Sequence, residues 1–180
     1  MNQAAKQDLE DTVRRAAAGD PAAFEALVRQ HQPEIYRFFR RACRSDEDAR
    51  DQCQLTFVRA YRSLAGFEGR SSFRTWLFRI ATNLSRNYYR DQGRRREVSL
   101  AVEDDSSSAN AKERDVVDRR PSTLARLELG ERRGQLREAV ETLPPRQRAV
   151  VTLRVYHDLS FAEIAEVEDI TTNNAKVSFC

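Results

Sequence analysis

Apolar residues along this chain recur with helical rather than strand spacing. Leu77, Ile80, Ala81 and Leu84 stand at i, i+3, i+4 and i+7, the period of a helix with one buried face. Upstream, residues 1–19 are polar and begin a loose helix. Asp20-Pro21 then pairs a capping residue with proline at the first helical position. Phe24, Leu27, Val28, Ile35, Phe38 and Phe39 follow as core at roughly helical spacing, with Pro33 as a candidate break or kink. Ser45 to Asp48 has the S-x-x-D form of a capping box. The helix it opens is expected to bury Leu55, Val58, Tyr61 and Leu64, with Phe57 beside them. Gly66 and Gly69 punctuate a loop over 66–72, and the helix after it is expected to end near Gly93.

The pattern lapses after Arg96. Residues 97–128 are polar, contain a triple serine and show no sustained period, which predicts a flexible linker. Periodicity resumes with Leu136, Val140 and Leu143, which stop at Pro144-Pro145, and then with Val150, Val151 and Leu153. His157-Asp158 makes a turn, and Ser160 to Glu163 is a second capping box, S-x-x-E, ahead of inward Phe161, Ile164 and Ala165. Glu168-Asp169-Ile170 makes a tight turn, and Thr171 or Thr172 caps a last helix. Two short helices joined this way fit a helix-turn-helix or an ordinary αα-hairpin, and spacing alone leaves both open. The predicted fold class is all-α: two small helical domains, 18–96 and 129–180, joined by a flexible linker at 97–128.

Charge adds a second stripe to the 73–93 helix. Arg79, Asn83, Arg86 and Arg90 recur at i, i+4, i+7 and i+11. From Arg70 to Arg96 there are eight arginines against one acid, a net +7 in a chain whose total is +3. Phe67, Phe73, Trp76, Tyr88 and Tyr89 are interleaved with this charge. Arginine forks suit phosphates, and aromatic faces suit unstacked bases. Any one of these residues reads as part of a solvated amphipathic helix with a core tryptophan; the whole set reads as a nucleic-acid surface, with a single strand among its candidate ligands. In the Asp46 helix, the acids Asp46, Glu47, Asp48 and Asp51 lie in the first turns, where they stabilise the helix dipole or form a docking face.

Composition narrows the rest. No apolar run approaches the roughly 20 residues that cross a bilayer, and Met1 to Arg15 has no signal-peptide-like segment, so a cytoplasmic protein without membrane insertion of its own is expected. Cys43, Cys53 and Cys180 are too few for a disulfide framework, no C-x-x-C pair exists, and His31 and His157 lie far apart. A metal site from Cys43, Cys53 and His31 lacks ligand spacing, so no metal or cofactor is expected and buried free thiols are the default. No nucleophile–base pair or phosphate loop stands out, which argues against an enzyme.

Two motif sets carry a family resemblance. F-x-G-R-S-S-F-R-T-W-L followed by I-A-x-N, within the stretch from Asp46 to Arg90, resembles conserved region 2 of the extracytoplasmic-function (ECF) sigma factors of the sigma-70 family. L-P-P-R-Q-R ahead of S-F-x-E-I-A resembles their region 4. The resemblance covers roughly 20–96 and 130–180, and the linker has none. It implies a subunit that directs core RNA polymerase to specific promoters and assists melting of the −10 element. Asp48, Asp51, Gln52, Phe57 and Arg59 would dock on core polymerase. Phe67, Gly69, Arg70 and Ser71 of the loop, with Asn83, would form a pocket for a flipped −10 base. Trp76 either stacks on a base or is core that shapes the pocket. Arg74, Arg79, Arg86 and Arg90 would hold phosphates, which position a strand without reading it, and Asn87 would meet a base or a phosphate. Thr171, Thr172, Asn173, Asn174, Lys176 and Ser178 would face the −35 major groove, with Arg146 and Ser160 anchoring the DNA backbone. The implied partners are core RNA polymerase, promoter DNA and an anti-sigma factor.

The match has departures. Glu168 and Asp169 stand where the family usually has an apolar residue and a glycine. The recognition helix stops at Cys180 before the family's arginine-rich stretch, so a natural chain continuing beyond Cys180, or an altered C-terminus, is expected. Leu129–Cys180 carries a net −1, a weak electrostatic footprint for gripping DNA. That weakness keeps a second reading open, a sigma-like adaptor that no longer initiates transcription. A conventional duplex-binding repressor has little use for the aromatic-arginine helix.

Overall fold

The computed structural model describes the backbone of residues 3–43, 45–100 and 142–179, and the side chains of 5, 7–43, 45–92 and 142–179. Regular structure among the described residues is entirely helical. The first unit holds α1 (Gln3–Ala17), α2 (Pro21–Ala42), α3 (Asp46–Ser63), a 3-10 turn (Leu64–Gly66) and α4 (Phe73–Leu100). The second holds α5 (Pro145–Tyr156), α6 (Phe161–Glu168) and α7 (Thr172–Val177). The expected linker beyond Leu100, the stretch bearing Leu136 and Val140, and Cys180 lie outside the described residues.

The starts of the helices are where local chemistry puts them. Asp20 Oδ1 accepts from the Ala22 and Ala23 amides at 2.9 and 3.2 Å, with Pro21 opening α2. Ser45 Oγ accepts from the Asp48 amide at 3.0 Å. Ser72 Oγ accepts from the Thr75 amide at 3.0 Å and so starts α4. At α6 the capping box closes both ways: the Glu163 amide donates to Ser160 Oγ, and the Ser160 amide donates to Glu163 Oε2 at 2.8 Å. Thr171 rather than Thr172 caps α7, accepting from the Asn174 amide at 3.1 Å. Asp169 ends α6 with φ of 54°, a left-handed conformation that aspartate tolerates better than most side chains.

Three expectations about packing change. Pro33 does not break α2, which runs on to Ala42 with the proline at the surface. Burial of Ile35, Phe38 and Phe39 just beyond it outweighs the missing amide bond. Gly93 does not end α4, whose helical backbone continues to Leu100; one glycine costs about 1 kcal/mol, and the arginines after it are good helix formers. On α3 the buried residues are Ala49, Cys53, Thr56, Phe57 and Ala60, while Leu55, Val58 and Tyr61 are exposed. The small residues Ala49, Cys53, Thr56 and Ala60 let α3 approach its neighbours closely, Phe57 fills the core beside them, and Leu55, Val58 and Tyr61 are turned outward.

The core of the first unit joins Leu27, Ile35, Phe38 and Phe39 to Leu64, Leu77, Phe78, Ala81 and Leu84. The second unit centres on Val150, Leu153, Leu159, Ile164 and Val167; Val151 and Phe161, expected inside, are half-buried. The two units pack together. α4 lies against α6, and α2 touches α5. α4 is thus buried on two sides, with Leu77, Ala81 and Leu84 in its own unit and Phe78, Thr82 and Ser85 toward the other.

Candidate nucleic-acid interface and docking face

The outer edge of α4 carries the basic stripe. Arg79, Asn83 and Arg90 are exposed, and Arg86 and Asn87 are half-buried beside them. They are already organised: Arg86 Nη1 donates to Asn83 Oδ1 at 2.8 Å, and Arg90 Nη2 donates to Asn87 Oδ1 at 3.2 Å. Each amide thus steadies an arginine one turn away on the same edge.

The preceding loop reaches α4 through aromatic rings. Trp76 is half-buried, with its ring centroid 5.1 Å from that of Phe67 and 5.6 Å from that of Phe73. Phe73 is core, packed on His31 at 5.3 Å. Phe67 and Trp76 therefore form a partly open shelf on a closed aromatic base. Gly69, at φ of 69°, supplies the left-handed turn between them, leaving Gly69 and Arg70 exposed and Ser71 half-buried. Arg70 pairs with Glu68 in solvent.

Two arginines of α4, Arg74 and Arg86, are held by carboxylates. Arg74 Nε donates to both Glu34 oxygens at 3.0 and 3.1 Å, and its Nη2 reaches Glu34 and the carbonyl of His157. Burial would raise the Glu34 pKa, but His157, whose Nδ1 lies 3.6 Å away, and the hydrogen-bonded Arg74 outweigh it and hold the carboxyl at about 2. Arg86 Nη2 donates to Glu168 Oε2. The Glu168 side chain is fully buried, and burial raises its pKa against the opposing pull of Arg86 and Arg146. Glu34, His157 and Glu168 carry no periodicity signal that marks them as partners of α4; the one clue is that Glu168 takes an apolar position.

The residues expected on the docking helix separate into three groups. Asp51 and Arg59 are exposed, and Gln52 is half-buried. Asp48 is tied into the fold, its Oδ2 accepting from Ser45 Oγ at 2.7 Å and from the Tyr88 hydroxyl at 2.9 Å. Phe57 is core at 7% exposure. The outward apolar side chains are instead Leu55, Val58 and Tyr61. Val58 and Tyr61 border an open groove of about 750 Å³ between α2 and α3, floored by Phe24, Val28 and Phe57. Tyr61 packs edge-on against Phe24 at 5.0 Å.

On the second unit, Thr171, Thr172, Asn173, Asn174 and Lys176 are exposed around α7, Ser178 is half-buried, and Ala175 anchors the helix inward. Arg146 is exposed at the start of α5. Ser160 is exposed but engaged in its capping box, where Oγ also lies 2.7 Å from Glu163 Oε2. Cys43 and Cys53 are buried, and burial pushes their thiols up to about 12 and about 11, which makes them poor thiolates. No described helix is long and apolar enough to cross a membrane.

The sequence matches the Sigma-70 region 2 family over residues 27–95 and the Sigma-70, region 4 family over 133–179. It is 36% identical over 159 residues to the ECF RNA polymerase sigma-E factor of Haemophilus influenzae, covering 87% of this chain and 82% of that one. It is 33% identical over 155 residues to the RNA polymerase sigma-H factor of Pseudomonas aeruginosa, covering 86% and 79%. Its fold is similar to that of CnrH, solved in complex with the cytosolic domain of CnrY, with a TM-score of 0.65, 26% identity, and coverage of 93% and 87%.

Proposed function

Because this chain belongs to the ECF sigma factors of the sigma-70 family, which direct RNA polymerase to promoters, we propose that its three surfaces divide that task. The outward face of α3 docks core RNA polymerase. The edge of α4 and its aromatic loop hold the −10 element as a melted strand. The exposed face of α7 meets the −35 duplex. The observation that carries this reading is the placement of the α4 stripe, where Arg79, Asn83 and Arg90 open to solvent on the helix that also carries Trp76. A basic edge beside a partly exposed aromatic shelf suits a single strand, whose phosphates and unstacked bases need both.

On α3, Leu55, Val58 and Tyr61 would bury apolar surface on the polymerase, ringed by Asp51, Gln54, Arg59 and Arg62. This moves the energetic centre of docking from the acids of the first turn to the apolar ridge, because Asp48 and Phe57 are engaged within the fold. At the −35 contact, Asn173 and Asn174 offer two-pronged pairing with adenine, and Lys176 offers a phosphate or guanine contact. Bond-making chemistry belongs to the polymerase, and the chain works in the cytoplasm beside it. An anti-sigma partner covering one or both units belongs to the same proposal.

The test is binding to purified core RNA polymerase, followed in the same tube by initiation on a library of promoter fragments. Binding with initiation from a defined set is expected. A folded chain that neither binds the polymerase nor starts transcripts contradicts the assignment of surfaces.

A further inference from the structure

We propose that Glu168 is an internal stand-in for a promoter phosphate, latching the second unit over α4 so that closure and −10 strand binding exclude each other. This rests on the assignment of Arg86 to the strand-binding edge. The stand-in is geometric. A carboxylate oxygen sits on Arg86 Nη2, where a phosphate oxygen would sit. Glu34 treats Arg74 in the same way, and the arrangement is tied across the units because Arg74 also donates to the His157 carbonyl.

The seam around the latch is built from both units. His157 lies against Phe78 and Phe38, with centroids 4.9 and 5.9 Å apart. Arg41 stacks on Tyr156 at 4.0 Å, and Arg148 stacks on Tyr89 at 4.7 Å. With Glu168 on Nη2 and α6 against α4, a strand meets only the open part of Arg86, 35% of its side chain, and full engagement needs the second unit to move.

Glu168 makes this closure releasable. It is 2% exposed, at a position where an apolar side chain would simply pack. Among the described residues only one of its oxygens is satisfied, and Oε1 is buried without a hydrogen-bond partner. A buried carboxylate left half-bonded is unfavourable compared with the same group in water. Opening therefore rehydrates Glu168 and frees Arg86 in one movement, and a nucleic-acid phosphate can take the vacated arginine. An apolar residue at 168 would close the seam and leave no group for a phosphate to replace.

The experiment uses the full chain with a donor and acceptor dye on the two units. The probe is a short fluorescein-labelled single-stranded DNA of randomised sequence, which reads phosphate contacts without needing the promoter. Native chain, Glu168→Gln and Glu168→Leu are compared, each with and without Arg86→Ala, after circular dichroism confirms folding. Glu168→Gln is expected to bind the probe on the order of tenfold more tightly than native, the size of one charge-assisted contact, whereas Glu168→Leu, whose apolar side chain packs the closed seam, is expected to gain nothing. Arg86→Ala should remove that gain, and probe added to the native chain should lower energy transfer between the units. Equal affinity of the native chain and both Glu168 variants, with Arg86→Ala still weakening all three, leaves the strand site standing and overturns the latch. If Arg86→Ala changes nothing in any background, the strand site is misassigned and the latch falls with it.

Discussion

Replacing Glu34 with glutamine removes the charge at the centre of the seam and keeps its shape. Glu34 lies on α2 with a side chain 19% exposed, between Arg74 of α4 and His157 of the second unit, whose Nδ1 is 3.6 Å away. Its carboxyl is held at about 2 against an ordinary 4.5. That gap corresponds to about 3 kcal/mol of differential stabilisation of the charged form. A depressed carboxylate contributes stability that is fully present above its unfolded pKa and lost as pH falls through the folded one. Glu34→Gln should therefore cost about 3 kcal/mol at pH 7 and about 1 kcal/mol at pH 3, where much of the native charge interaction has already gone. The assay is urea denaturation of both chains from pH 7 down to pH 3, followed by circular dichroism. The single tryptophan, Trp76, reports separately on the first unit. Taking the difference between the chains cancels the other carboxylates. A penalty that stays constant across this range, or one below about 0.5 kcal/mol at pH 7, a size ordinary for surface substitutions, would refute the reasoning.

Adjacent residues on α3 should behave oppositely. Phe57→Ala should cost about 3 kcal/mol of stability as a core truncation. Val58→Asp should change stability by about 0.5 kcal/mol or less yet weaken core-polymerase binding at least tenfold; native-like binding by Val58→Asp would remove this face from the docking surface. Arg79→Ala should weaken single-strand binding about evenly across sequences and reduce the slope of log affinity against log salt by about 0.7, checked by titration at several salt concentrations. An unchanged slope would mean that Arg79 meets no phosphate.

The helices and their starts were legible in the sequence because the causes are local. Asp20-Pro21, Ser45, the Ser160–Glu163 box and the turn at Asp169 act through hydrogen bonds and backbone angles within a few residues. The basic edge of α4 was legible for the same reason, since residues one turn apart share a face wherever the helix lies. The inward face of α3 was not. Composition favoured burying Leu55, Val58 and Tyr61, but close packing against α2 and α4 selected the face carrying Ala49, Cys53 and Ala60. Likewise, spacing gave α4 one buried face, and only the docked second unit gave it another, through Phe78, Thr82 and Ser85. Arg74 and His157, and Arg86 and Glu168, meet across sequence separations of 83 and 82 residues. Such pairings depend on how two independently patterned units come together, and no periodicity within either unit encodes that.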